Sequence, residues 1–84
     1  MANTLLDPQS VWNKCLAFIK DNVNAKTYDM WFKPIQAVSL NDNKLVVGVP
    51  GYVYYEWLEK NAYKLLKTVI KKELGENGKL AYNI

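Results

Sequence analysis

The sequence predicts one α+β domain with element order ααββαβ, a three-stranded sheet packed on helices. Three observations lead there: helical spacing of apolar residues in three stretches, two β-branched runs around a turn cluster, and an alternating segment at the end of the chain. With 84 residues, half of them hydrophobic and 13% aromatic, the chain fills one core but not two, and it lies far from the composition of a disordered segment. Three strands must then cover one side of the helices to bury both apolar surfaces.

Asp7 followed by Pro8 supplies an N-cap and a proline at the first helical position. At 100° per residue, Trp12, Cys15, Leu16, Ile19 and Val23 share a stripe, so the first helix is expected from Pro8 to Val23. Asn24 can cap a short second helix carrying Tyr28, Met30, Trp31 and Phe32, which Pro34 should end by biasing Lys33 away from helical geometry. Residues 35–40 and 44–49 read as a β-hairpin, because Asn41, Asp42 and Asn43 between them favour tight turns. Pro50 and Gly51 stop its ladder. One long helix is expected from Tyr52 to Glu73, with Tyr55, Leu58, Ala62, Leu65, Leu66 and Val69 on one side. Gly75 suits a left-handed C-terminus and Lys71 and Lys72 complement the helix dipole. Leu80, Tyr82 and Ile84 then alternate as a third strand, and a strand at the last residue is expected of a piece of a longer protein.

Composition narrows the function classes. The net charge is +3 with a pI near 9.0, and all eleven basic residues are lysines. Lacking arginine, the chain has no side chain for the commonest bidentate contact to guanine, which argues against sequence-specific reading of a major groove. Lysines still meet phosphates as point charges. There is no histidine, a lone cysteine cannot build a thiolate zinc site, and neither a GxxxxGK[ST] nor a GxGxxG loop occurs. Glu56 stands one helical turn before Lys60, the spacing of a surface ion pair rather than of an acid/base dyad. The expectation is a non-enzyme with no cofactor in this segment. Cys15 excludes an internal disulfide framework, and with no signal peptide near Met1 and no apolar run of membrane-spanning length the expected location is the cytoplasm.

Three stretches carry a family resemblance: residues 11–16 (Val-Trp-Asn-Lys-Cys-Leu), residues 27–35 (Thr-Tyr-Asp-Met-Trp-Phe-Lys-Pro-Ile) and residues 54–58 (Tyr-Tyr-Glu-Trp-Leu). In order and spacing they resemble the N-terminal domain, domain I, of the bacterial chromosomal replication initiator DnaA, over nearly the whole chain. The resemblance implies a compact KH-like fold that lacks the GxxG loop of an RNA-binding KH module. It implies that residues 1–84 are one protein-interaction domain within a longer initiator, with ATP binding in a later domain. The partners it implies are a replicative helicase of the DnaB type, regulatory proteins and further initiator copies, together with weak single-stranded DNA contact.

Carried over residue by residue, the resemblance assigns self-association to Trp12, with Val11 on its flank; the competing expectation is that Trp12 is core, because it shares a stripe with Ile19 and Val23. Helicase and single-strand contact fall on Thr27 and Val53, where acidic and aromatic residues of some family members are replaced. Wheel geometry places Val53 opposite the buried side of its helix, and Tyr52 and Tyr54 beside it supply aromatic area. Lys60, Lys64, Lys67 and Lys71 form a basic stripe that reads first as a solvated face, and second, beside Trp57 or Tyr63, as a single-strand platform. A small stand-alone domain that binds single-stranded nucleic acid is therefore the alternative function.

Overall fold

The structure, a computed structural model, describes residues 7–84. Residues 1–6, on which the expected absence of a signal peptide partly rests, lie outside the described residues. Helix α1 spans Pro8–Lys20, and the Asp7 side chain accepts from the Ser10 amide at its start. Val11, Trp12, Cys15 and Ile19 form its buried face. The helix ends before Val23, three residues short of the expected limit. The Asn22 side-chain amide donates to the Phe18 carbonyl at 2.8 Å and its backbone N–H to that of Ile19, so the last turn is closed by an asparagine instead of by further helix. Val23 still packs, half-buried, against the core.

Asn24 caps the next element as expected, accepting from the Thr27 amide at 2.8 Å. After one turn, α2 (Ala25–Thr27), the chain widens into a π-helical turn over Tyr28–Phe32, closed by the Lys33 N–H donating to the Tyr28 carbonyl. Lys33 therefore keeps helical angles, φ −56° and ψ −38°, against the bias of Pro34. The wide turn brings Tyr28, Trp31 and Phe32 inward together and leaves Asp29 and Met30 outside.

Strands β1 (Gln36–Asn41) and β2 (Lys44–Gly48) form the expected antiparallel hairpin. Asp42 and Asn43 both take positive φ, 51° and 65°, the two left-handed positions of a tight hairpin turn. Strand β3 (Lys79–Asn83) adds to β2 in parallel, giving the order β1-β2-β3. Leu45 and Val47 face the helices with no exposure, and Leu80 and Tyr82 are in register with them.

Two helices, α3 (Tyr52–Asn61) and α4 (Tyr63–Leu74), replace the single long one. The break lies at Ala62, φ −127° and ψ 11°, where the Asn61 side chain donates to the Trp57 carbonyl at 3.1 Å. Hydrogen bonds from Ala62 to Leu58 and from Leu66 to Ala62 bridge the break, so the apolar spacing runs through it unchanged. Leu58, Ala62, Leu66 and Val69 are all buried, while Leu65, expected among them, is only partly so. Gly75 ends α4 with φ 90°, a conformation that glycine adopts without strain. No helix among the described residues is long and apolar enough to cross a membrane.

The core joins Trp12, Cys15 and Ile19 of α1 to Phe32, Leu45, Val47, Leu58 and Val69, all at 1% exposure or less. Burial first, and the Glu73 carboxylate second, push the Cys15 thiol up to about 12. At pH 8 the thiol is protonated and enclosed, so alkylation by iodoacetamide should follow unfolding, and the unfolded chain should react far faster than the native domain. Because the unfolded thiol releases its proton near 9.0 and the folded one near 12, this contribution to stability is complete below pH 9 and falls as pH rises towards 12.

Candidate functional site

Pro50 and Gly51 turn the chain from the sheet into α3, whose first residues have no side-chain cap and stand clear of the core. Tyr52 is 58% and Val53 64% exposed. Behind them, the flat face of Trp31 stacks on Trp57 at 4.5 Å and 4° between planes. Tyr54 meets Trp31 edge-on at 5.2 Å, and buried Phe32 stands perpendicular to Trp57 at 6.1 Å. Each such pair adds about 0.5–1.5 kcal/mol beyond area burial, so the rings of this aromatic bed stabilise one another. Trp31, Val53, Tyr55, Trp57, Glu56 and Lys60 line a shallow hollow of about 760 Å³ over it. Met30, next to Trp31 in the chain, is 52% exposed.

The residues singled out in the sequence divide into three groups. Val53 and Lys60 line the hollow and Tyr54 meets its ring bed, while Tyr52, next to Val53 in the chain, packs on Tyr55 at 5.6 Å. Thr27 does not line the hollow; it is partly buried, with its amide tied to Asn24. Trp12 and Val11 do not form an exposed patch. Trp12 is 1% exposed and its Nε1 donates to the Ile35 carbonyl at 3.2 Å, while Val11 is 7% exposed, because α1 packs this face onto α4 and β1.

The helix break places Lys60 on α3 and Lys64, Lys67 and Lys71 on α4. Lys67 Nζ donates to the Tyr63 hydroxyl at 3.2 Å, and Lys71 lies 3.8 Å from Glu76. The expected Glu56–Lys60 pair is not formed; the ion pairs among the described residues are Lys71–Glu76 and Lys72–Glu73, both exposed on the lysine side and of small energetic weight. The described residues hold no group of three His, Cys, Asp or Glu side chains able to bind a metal ion. The surface around Val53 thus offers apolar area, ring faces and a few charges, the chemistry of recognition.

The family profile of the DnaA N-terminal domain matches residues 9–72, from α1 into α4. The chain belongs to the DnaA N-terminal domain family. It is 53% identical over 76 residues, 90% of its length, to the chromosomal replication initiator protein DnaA of Flavobacterium psychrophilum. To the same initiator of Bacteroides thetaiotaomicron it is 43% identical over 74 residues, and to that of Chlorobaculum tepidum 34% over 76 residues. The chain spans 15–16% of the length of these relatives. Within this DnaA N-terminal domain, the Trp31 ring under the hollow and exposed Met30 were not readable as surface features, because a π-helical turn shifts which side chains point inward and spacing rules for an α-helix miss it.

Proposed function

We propose that this DnaA N-terminal domain is a non-catalytic docking module of a replication initiator, which recruits a replicative helicase and regulatory proteins through the surface around Val53. The observation that carries this reading is the exposure of Val53, with Tyr52 next to it in the chain, in the hollow over Trp31 and Trp57. Apolar side chains over mutually packed rings, with a few charges around them, give a partner area to bury and groups that select it, which is how interaction hot spots are built. Several initiator copies at opened origin DNA would then raise the local helicase concentration through multivalency. ATP would bind in another part of the longer initiator.

Self-association, expected at the first helix, would act through exposed neighbours of Trp12 and Val11, since the indole itself is enclosed. Single-stranded DNA contact would be weak and salt-sensitive, with Lys60 beside Trp57 as its best-placed pair. Val53→Glu is expected to weaken binding of the cognate helicase about tenfold and to leave the melting temperature nearly unchanged, since the side chain is 64% exposed. A titration followed by amide chemical shifts checks both. Helicase binding retained by the folded variant counts against this surface. Tight oligonucleotide binding with a steep salt slope would favour the stand-alone nucleic-acid-binding alternative.

A further inference from the structure

Strand β3 lies at the edge of the sheet, bonded to β2 alone. The Lys79 N–H donates to the Asn43 carbonyl at 2.8 Å, and the Asn83 carbonyl accepts from the Val49 N–H at 2.9 Å. Alternate residues of a parallel strand turn both main-chain polar groups to the same neighbour. Lys79, Ala81 and Asn83 are therefore committed to β2, while Leu80 and Tyr82 turn their N–H and C=O outward, where no fourth strand lies among the described residues. An unpaired edge of this kind is a template for another extended chain.

Beside the edge, a groove of about 330 Å³ runs between α4 and β3. Leu66 and Ile70 of α4 and Leu80 and Tyr82 of β3 supply its apolar lining, with Lys67 and Lys71 at the rim. It shares only Glu59 with the hollow around Val53. Strand alternation turns the Lys44 and Lys79 side chains to the face opposite Leu45 and Leu80, although Lys79, at the start of β3, also borders the groove; the two lysines are in register, both exposed and neither in an ion pair among the described residues. Like charges directly opposite one another are unfavourable, and an acidic side chain beside them relieves the repulsion.

We propose that the β3 edge and this groove form a second docking surface, one that takes an extended peptide of a partner protein as a fourth strand, with apolar side chains at every second position and acidic ones between. Apolar side chains enter between Leu66, Ile70, Leu80 and Tyr82. The acidic side chains fall on the other face of the sheet, where Lys79 is the nearest strand's cation and Lys44 stands behind it. Main-chain bonds to Leu80 and Tyr82 provide affinity and the alternation provides selectivity, as in other cases of strand addition. The domain could then hold one partner at the Val53 hollow and another at this edge.

The test uses the isotope-labelled domain and a capped peptide of about six residues, the usual strand length, alternating valine and glutamate. Amide shifts are expected at Leu80, Tyr82 and residues 66–71. Two further peptides, N-methylated on the valines or on the glutamates, remove main-chain donors in one phase only. One of them should lose binding and the other keep it: loss on the valines means antiparallel addition, loss on the glutamates parallel addition. Lys79→Glu should weaken the unmodified peptide about fivefold. The proposal is overturned by absence of shifts, by shifts confined to the Val53 hollow, by equal behaviour of the two methylated peptides, or by unchanged binding to folded Lys79→Glu. Concentration-dependent shifts of the same amides without peptide would also overturn it, assigning the edge to a second copy of the chain.

Discussion

Trp12→Ala is expected to unfold the domain, not to separate folded copies of it. The indole is 1% exposed, and it is the largest side chain that the core encloses completely. Its removal forfeits about 3–5 kcal/mol through lost burial and an unfilled cavity, against a total of roughly 3–5 kcal/mol for a domain of this size. The Ile35 carbonyl, which accepts from Trp12 Nε1 at 3.2 Å, would in addition lose its partner. Urea unfolding followed by circular dichroism measures the effect. Trp12→Phe, which keeps most of the volume and loses the hydrogen bond, should cost about 1–3 kcal/mol and remain folded. A Trp12→Ala variant of near-native stability that no longer self-associates would restore the indole as a contact residue. Loss of self-association by Trp12→Ala in cells would otherwise report a missing fold.

Gly78→Ala should cost about 1–3 kcal/mol, although it adds a single methyl group. A Cβ at this position would lie 2.7 Å from Leu74 Cβ and 3.1 Å from both Ile70 Cγ2 and the Ile70 carbonyl oxygen. Two of those atoms belong to α4 close to its backbone, so relief requires β3 to move off the helix. The variant should therefore show a lower denaturation midpoint and weaker hydrogen-exchange protection of the β3 amides that bond to β2, with α1 and the hairpin less affected. Unchanged protection of β3 would mean that α4 yields instead. Gly51, where an added Cβ meets nothing within 4 Å, is the natural control.

Much of this architecture was legible because the deciding forces are local. Asp7, Asn24 and the Asp42–Asn43 turn act through side-chain and backbone groups within a few residues, and each appears where the sequence predicts it. Val53 stands out of the core as wheel geometry requires, since its neighbours Tyr55 and Leu58 determine which side of α3 turns inward. The family likewise follows from short contiguous stretches within residues 9–72.

Other features depend on groups far apart in the chain. Apolar spacing is the same for one helix or for two joined at Ala62, because the buried positions on both sides remain in phase, so spacing alone does not reveal the break. Spacing rules for an α-helix do not reveal the π-helical turn at Tyr28–Phe32, and its Trp31 stacks on Trp57, 26 positions later in the numbering. Trp12 suited both core and surface until the Ile35 carbonyl was brought to its Nε1. By itself, then, the sequence determined the element order, the caps, the hairpin turn and the family; the tertiary structure alone decided that Trp12 is enclosed, that β3 joins β2 in parallel with no further strand beside it among the described residues, and that Val53 overlooks stacked rings. Caps and turns are settled by neighbours along the chain, whereas burial, strand pairing and ring stacking are settled by neighbours that only folding supplies.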